Sequence, residues 1–271
     1  MSRIARAYIK TSSLSYYHLI SHIQDELPML TPAEKEKLLW LLQKLSQTFF
    51  VKLLSFAIMG NHFHLLLKLQ PPSPSITEGE LLRRALLLFK PSTVASHPAS
   101  WWLRRLLDIS VFMKELNQRF SQWYNLRHGR RGHFFRDRFR SLRIEDGRWS
   151  LSASLYIDLN PVRAGLSGRV DGYRWSSYAC RKAGVCGWLA SLEEELGVSL
   201  KWYSEALEQM GRVEREGKGK ITKGQLPLLV HALSYRAEGI VYGAEAFVRK
   251  FLSGLPFRRR LKLAQEGAAL A

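Results

Sequence analysis

Two hydrophobic rhythms run through the chain, and the switches between them mark its elements. Tyr16 to Ile23 (YYHLISHI) puts Tyr17, Leu19 and Ser21 on one face in strand alternation, which predicts a first strand. From Leu30 to Leu45 the period lengthens, and Leu38, Leu39, Leu41, Leu42 and Leu45 share a helical face. Thr31 is a natural N-cap for that helix, with Pro32 at its first position. Phe50–Met59 and His62–Leu69 are apolar runs parted by Gly60-Asn61, the pattern of a hairpin. Prolines and serines then break the rhythm from about 70 to 102, leaving room for one short helix at Glu78–Phe89, so this stretch reads as an insertion. Leu103–Leu126 carries Leu106, Ile109, Phe112, Met113, Leu116, Phe120 and Trp123 at helical spacing and predicts one long helix, ended by His128 to Gly132. A strand at Phe139–Ile144 and a helix at Trp149–Leu159 complete the pattern.

The order β-α-β-β-α-β-α predicts an α+β fold: a ferredoxin-like, four-stranded antiparallel sheet with helices on one face. The main domain is expected to span 1–180, including the Pro/Ser-rich insertion. Residues 181–271 are expected to form a mostly helical, basic C-terminal region suited to DNA binding. Within it, Gly211–Gly224 reads as a charged linker, Leu226–Leu252 as two short helical patterns divided at Gly239, and Phe257–Lys262 as a basic tail. A helix-turn-helix signal there is weak.

Charge sharpens the picture. Lys and Arg total 41 against 23 acidic residues, a formal +18, which predicts a polyanionic partner, nucleic acid being the usual one. No segment approaches the ~20 apolar residues of a membrane span, and Met1–Lys10 lacks an apolar run of signal-peptide length. The two cysteines, Cys180 and Cys186, match no zinc spacing and make no disulfide scaffold, so a reducing cytoplasm, with association to the nucleoid, is expected.

Two short motifs carry the chemistry. In His62-Phe63-His64 on a strand, both imidazoles face one way and Phe63 the other, the presentation two metal ligands need. By itself the spacing is more often a partly buried pair, or one free surface histidine, than a metal site. Tyr156 and Asn160 are four apart, so a helix sets phenol and carboxamide on one face. Against that stands Pro161, which biases Asn160 away from helical dihedrals and fits a simple turn instead. Asp158, two positions from Tyr156, is expected to point elsewhere and be solvated. His18 and His22 read as sheet residues, His18 with the option of supporting a ligand. Tyr124 reads as core, and His133 as a loop histidine or phosphate contact.

The blocks together resemble a known family. Tyr16-Tyr17-His18-Leu19-Ile20-Ser21, Met59-Gly60-Asn61-His62-Phe63-His64-Leu65-Leu66-Leu67, Gly129-Arg130-Arg131-Gly132-His133-Phe134-Phe135, Tyr156-Ile157-Asp158-Leu159-Asn160-Pro161-Val162-Arg163-Ala164-Gly165-Leu166 and Tyr173-Arg174-Trp175-Ser176-Ser177-Tyr178 stand in the order found in single-tyrosine HUH transposases, including those associated with repetitive extragenic palindromes. The resemblance covers about two-thirds of the chain. It departs at Gly60, where the family usually has proline, and in the longer stretch before Trp101.

The resemblance implies a metal-dependent DNA strand cleavage and rejoining enzyme acting at single-stranded or hairpin DNA. Tyr156 would be the nucleophile, His62, His64 and Asn160 the ligands of Mg²⁺ or Mn²⁺, and a 5′-phosphotyrosine the intermediate. A free phenol, with a pKa near ~10, needs such help at neutral pH. No phosphate-cradling glycine-rich loop of the nucleotide-binding type is present, as expected for a reaction that conserves the ester bond. Eight arginines lie between Arg127 and Arg148. Of these, Arg127, Arg130, Arg131, Arg136, Arg138, Arg140 and Arg143 are the expected DNA contacts, while the interleaved Phe134, Phe135 and Phe139 read as core. Other readings remain: a hairpin-binding protein that does not cut, a hydrolytic nuclease in which Tyr156 only packs, and an RNA-binding protein. Monomer or homodimer is left open by the pattern.

Overall fold

A computed structural model describes residues 15–216 together with 241, 242 and 244. The sheet has the order β2-β3-β1-β4-β5. Strand β1 (Ser15–His22) lies between β3 (His62–Leu69) and β4 (Arg140–Ile144), antiparallel to both, and β3 pairs antiparallel with β2 (Val51–Ile58). Those four strands form the ferredoxin-like arrangement. A two-residue strand, β5 (Val241–Tyr242), adds a parallel edge beside β4 that the sequence pattern did not announce.

Alternation decides which helix covers which face. Tyr17 and Leu19 of β1, Leu53 and Phe56 of β2, and Phe63, Leu65 and Leu67 of β3 join one core with α1 (Pro32–Thr48) and α5 (Ile109–Arg127). Tyr16, Leu54, Ala57, Leu66, Leu142 and Ile144 point the other way. They bury against α6 (Arg148–Arg163) and, beyond it, α9 (Leu200–Glu216). Helices therefore cover both faces; the expectation of one covered face holds for α1 and α5 and fails for α6. The cause lies in α6 itself, where Leu151, Ala153, Leu155, Ile157, Leu159 and Val162 are all buried, too many for one contact stripe. The helix is sandwiched between sheet and α9.

Local chemistry sets the boundaries. Thr31 donates from its backbone N–H to Glu34 (2.5 Å), and α1 begins at Pro32 as its N-cap signal predicts. The expected helix 103–126 is two helices. Asp108 interrupts it by accepting from the N–H groups of Ser110 (2.6 Å) and Val111 (3.3 Å), capping α5 and separating it from α4 (Ala99–Leu106). With α2 (Glu78–Leu86) and α3 (Pro91–Ala95), α4 gives the insertion more helix than its prolines suggest. The first part of the expected linker is the end of α9; within the second expected helical pattern Val241–Tyr242 is instead strand β5, while the rest of those patterns and the basic tail lie outside the described residues.

Short helices α7 (Ser177–Lys182) and α8 (Leu192–Leu196) connect α6 to α9. Cys180 and Cys186 are paired, with Cα atoms 5.5 Å apart, closing the turn after α7. Among the described residues no helix is long and apolar enough to cross a membrane.

Candidate active site

The antiparallel register of β1 and β3 assembles a row of histidines. His22 sits opposite His62 and Ile20 opposite His64, so His18, His22, His62 and His64 share the sheet face that α6 covers. His62 and His64 have ring centroids 4.9 Å apart, and His22 stacks on His62 at 4.9 Å. His18 Nε2 lies 2.9 Å from His64 Nδ1, and both rings are buried. The β2–β3 turn closes with Met59 N–H donating to the His62 carbonyl (2.8 Å). It places Asn61 so that its Oδ1 accepts from His62 Nδ1 at 2.7 Å.

Burial keeps these rings neutral. It pushes His18 down to about 3 and His62 down to about 4, the latter helped by His22, and holds His64 well below the ordinary 6.5. His22 is lowered by burial first and then by Arg136 and Arg140. Neutral imidazoles are what ligation requires.

Tyr156 approaches this row from α6. Its ring is 6.2 Å from both His18 and His64. Asn160 is one turn further along, and its Nδ2 donates to the Tyr156 carbonyl (3.1 Å), which leaves Oδ1 as the end a cation can use. The conflict posed by Pro161 resolves in favour of helix. The proline sits in the last turn, followed by a Schellman closure in which Leu166 N–H reaches the Pro161 carbonyl (2.9 Å) and Gly165 N–H that of Val162 (3.0 Å). Gly165 takes φ 67°, a conformation glycine adopts without strain. The Asn-Pro-Val-Arg-Ala-Gly block is thus a helix end that keeps Asn160 in phase with Tyr156.

Asp158 corrects its expectation. It is buried, not solvated: Ser177 Oγ (2.5 Å), Tyr178 N–H (2.9 Å) and Tyr203 OH (2.8 Å) all donate to its carboxylate. The residue ties the tyrosine helix to α7 and α9. Its donors lie outside α6, so spacing within the helix held no sign of them.

Burial raises Asp158 from its ordinary 3.8 to about 6, against the lowering effect of its donors. Between those values the folded state holds the proton more tightly than the unfolded chain. The Asp158 contribution to stability therefore falls as pH rises from about 4 to about 6, by about 3 kcal/mol in all. The buried histidines act in the opposite sense, since the unfolded chain takes up their protons as pH falls below 6.5. The difference between wild type and Asp158→Asn isolates the carboxylate. Urea unfolding at pH 4.5 and pH 7 should show the variant gaining stability relative to wild type at the higher pH; a pH-independent difference would remove the assignment.

One residue near the phenol was missed. Arg163 lies with its guanidinium 5.1 Å from the Tyr156 ring centre and pairs with Glu214 of α9 (3.2 Å). Its position seven residues after Tyr156, two helical turns on, was the available signal. Tyr124 is core, as read, and so are Phe134 and Phe139, with Phe135 half-buried.

The arginines divide. Arg140 stands opposite Ile20 and so on the histidine face, whereas Arg143 stands opposite Tyr17 on the other face and donates to Ser15 Oγ (3.0 Å). Arg136 pairs with Asp25 (2.9 Å) and Asp137 (3.3 Å). Arg127 lies 5.6 Å from the Trp123 ring, Arg130 is half-buried, and Arg131 and Arg138 are exposed.

Residues 11–77, about a quarter of the chain, match the family model described as Transposase IS200 like. Over that stretch the chain is similar to that family. The matched stretch contains β1, α1, β2 and β3, and with them all four histidines of the row. A solved structure described as the REP associates tyrosine transposase bound to a REP hairpin aligns with a TM-score of 0.47 at 15% identity, covering 74% of this chain and 93% of that one. No curated protein matches the chain. Among the described residues no group of three or more His, Cys, Asp or Glu is arranged to hold a metal.

Proposed function

We propose that this chain cuts and rejoins single-stranded or hairpin DNA, with Tyr156 as nucleophile and a divalent ion, Mg²⁺ or Mn²⁺, between His62, His64 and Asn160. The observation that carries the reading is the Tyr156 ring beside the His-x-His strand, 6.2 Å from the rings of both His18 and His64. The donor set fits such an ion. Asn61 holds the His62 hydrogen on Nδ1, leaving the Nε2 lone pair, and Asn160 has its amide nitrogen committed to the helix. When bound, the ion would polarise the scissile phosphate and offset its developing charge.

The chain's own residues account for the rest. The Tyr156 oxygen attacks phosphorus, forming the bond to the 5′ phosphate while the bond to the 3′ oxygen breaks. The departing oxygen takes up a proton as a 3′-hydroxyl. Rejoining is the reverse attack of that hydroxyl, which returns the phenol. Arg163, close to the Tyr156 ring, is positioned to hold the phosphate. The test is a hairpin strand labelled at its 3′ end, downstream of the nick site: a label that stays on protein through denaturation, with Mn²⁺ and not with chelator, supports the reading. Tight binding without adduct would favour the binding-only alternative.

Arg138 and Arg140 belong to the proposed substrate track, which continues from the histidine face over exposed Arg140 at the start of β4 and exposed Arg138 just before it. A single-strand contact contributes about 0.7 to the slope of log K against log salt. The double substitution Arg138→Ala/Arg140→Ala should therefore lower that slope by about 1.4, with little change in base preference, as read by fluorescence anisotropy across a salt series. An unchanged slope would take both arginines off the track.

A further inference from the structure

The two histidines of the strand have different partners. His62 meets a carboxamide oxygen, which can only accept, so its hydrogen must sit on Nδ1. His64 meets another imidazole, that of His18, at 2.9 Å. Two neutral rings sharing one hydrogen have two arrangements. If His18 donates from Nε2, His64 keeps its own hydrogen on Nε2 and cannot ligate through it. If His64 donates from Nδ1, its Nε2 carries the lone pair and matches His62.

Both rings are buried, His18 at 0% and His64 at 6% exposure, so water does not offer a ready alternative partner. The contact is also set by the sheet. His18 lies diagonally across from His64 in the β1–β3 register, fixed by the hairpin and by the apolar alternation of both strands. We propose that His18 is a positioning residue: its Nε2 accepts from His64 Nδ1–H and holds His64 in the tautomer whose Nε2 is open to a divalent cation. The inference rests on the metal reading above. It adds that β1 supplies the orienting partner for one ligand as the β2–β3 turn does for the other.

The test uses metal-free full-length protein and inorganic Mn²⁺. Long-range ¹H–¹⁵N spectra of the histidine rings report the tautomer directly, and calorimetry reports Mn²⁺ affinity. Wild type should show His64 protonated at Nδ1. His18→Leu should convert it to a mixture or to the other tautomer, and weaken Mn²⁺ binding about 10- to 100-fold. His18→Gln, whose side-chain oxygen can accept, should restore most of both. A wild-type His64 protonated at Nε2, or a His18→Leu protein with unchanged tautomer and affinity, would overturn the proposal. If wild type binds no Mn²⁺, the metal reading fails, and the tautomer comparison alone decides the role of His18. Should His18→Leu fail to fold, the wild-type tautomer and the His18→Gln protein decide it.

Discussion

Tyr156→Phe should abolish the covalent DNA adduct, lowering strand cleavage by at least about 10³-fold, while leaving hairpin affinity within a factor of about two. The substitution removes one oxygen and keeps the ring. Tyr156 is half-buried among His18, His64 and Arg163, and its ring contacts survive in phenylalanine. Folding should be unaffected for the same reason, and α6 stays anchored through Asp158 to α7 and α9. The effect therefore separates a nucleophile from a packing residue. A denaturing gel with labelled single-stranded DNA reads the adduct, and anisotropy reads the binding. Cleavage that persists in the variant would transfer the chemistry to water and make the protein a hydrolytic nuclease. Loss of cleavage together with loss of binding would instead make the hydroxyl a recognition group.

Some of this site was legible one strand or helix at a time. Alternation places His62 and His64 on one face of β3, and a helical turn places Asn160 with Tyr156; both follow from local geometry. What stayed hidden depends on partners distant in the chain. His18 meets His64 across 46 residues, a contact created by strand register, which no local period encodes. Asp158 finds its donors 19, 20 and 45 residues on, in α7 and α9. A carboxylate two residues from Tyr156 therefore looked solvated when it is a buried tie. Arg163 shares the tyrosine helix, but its link to Glu214 belongs to packing of α9. The Asp108 break illustrates the other failure, in which apolar spacing continued across a cap and two helices read as one. The second covered face of the sheet was missed because α6 is buried nearly all round, its serines and Asp158 included, and periodicity alone does not say what packs on its outer side.

The second large effect is expected at His64. His64→Ala should weaken Mn²⁺ binding by at least about 10²-fold and remove adduct formation, exceeding the effect of His62→Ala. Both residues are proposed as ligands of the same ion, but their surroundings differ. His62 is at the strand end, half-buried, stacked on His22, and its loss opens a position that solvent can fill. His64 is buried between His18 and the Tyr156 ring. Truncating it deletes a ligand and also leaves the His18 nitrogen without its hydrogen-bond partner in a buried place, a cost of about 1–3 kcal/mol. His64→Ala should therefore lower the unfolding free energy in chelator by roughly that amount, whereas His62→Ala should leave it nearly unchanged. Calorimetry with Mn²⁺ reads the first quantity and urea unfolding in chelator the second. Equal metal affinities for wild type and His64→Ala would remove His64 from the ligand set. A stability loss without any change in metal affinity would make the histidine row a structural feature of the sheet, and Tyr156 would need another source of activation.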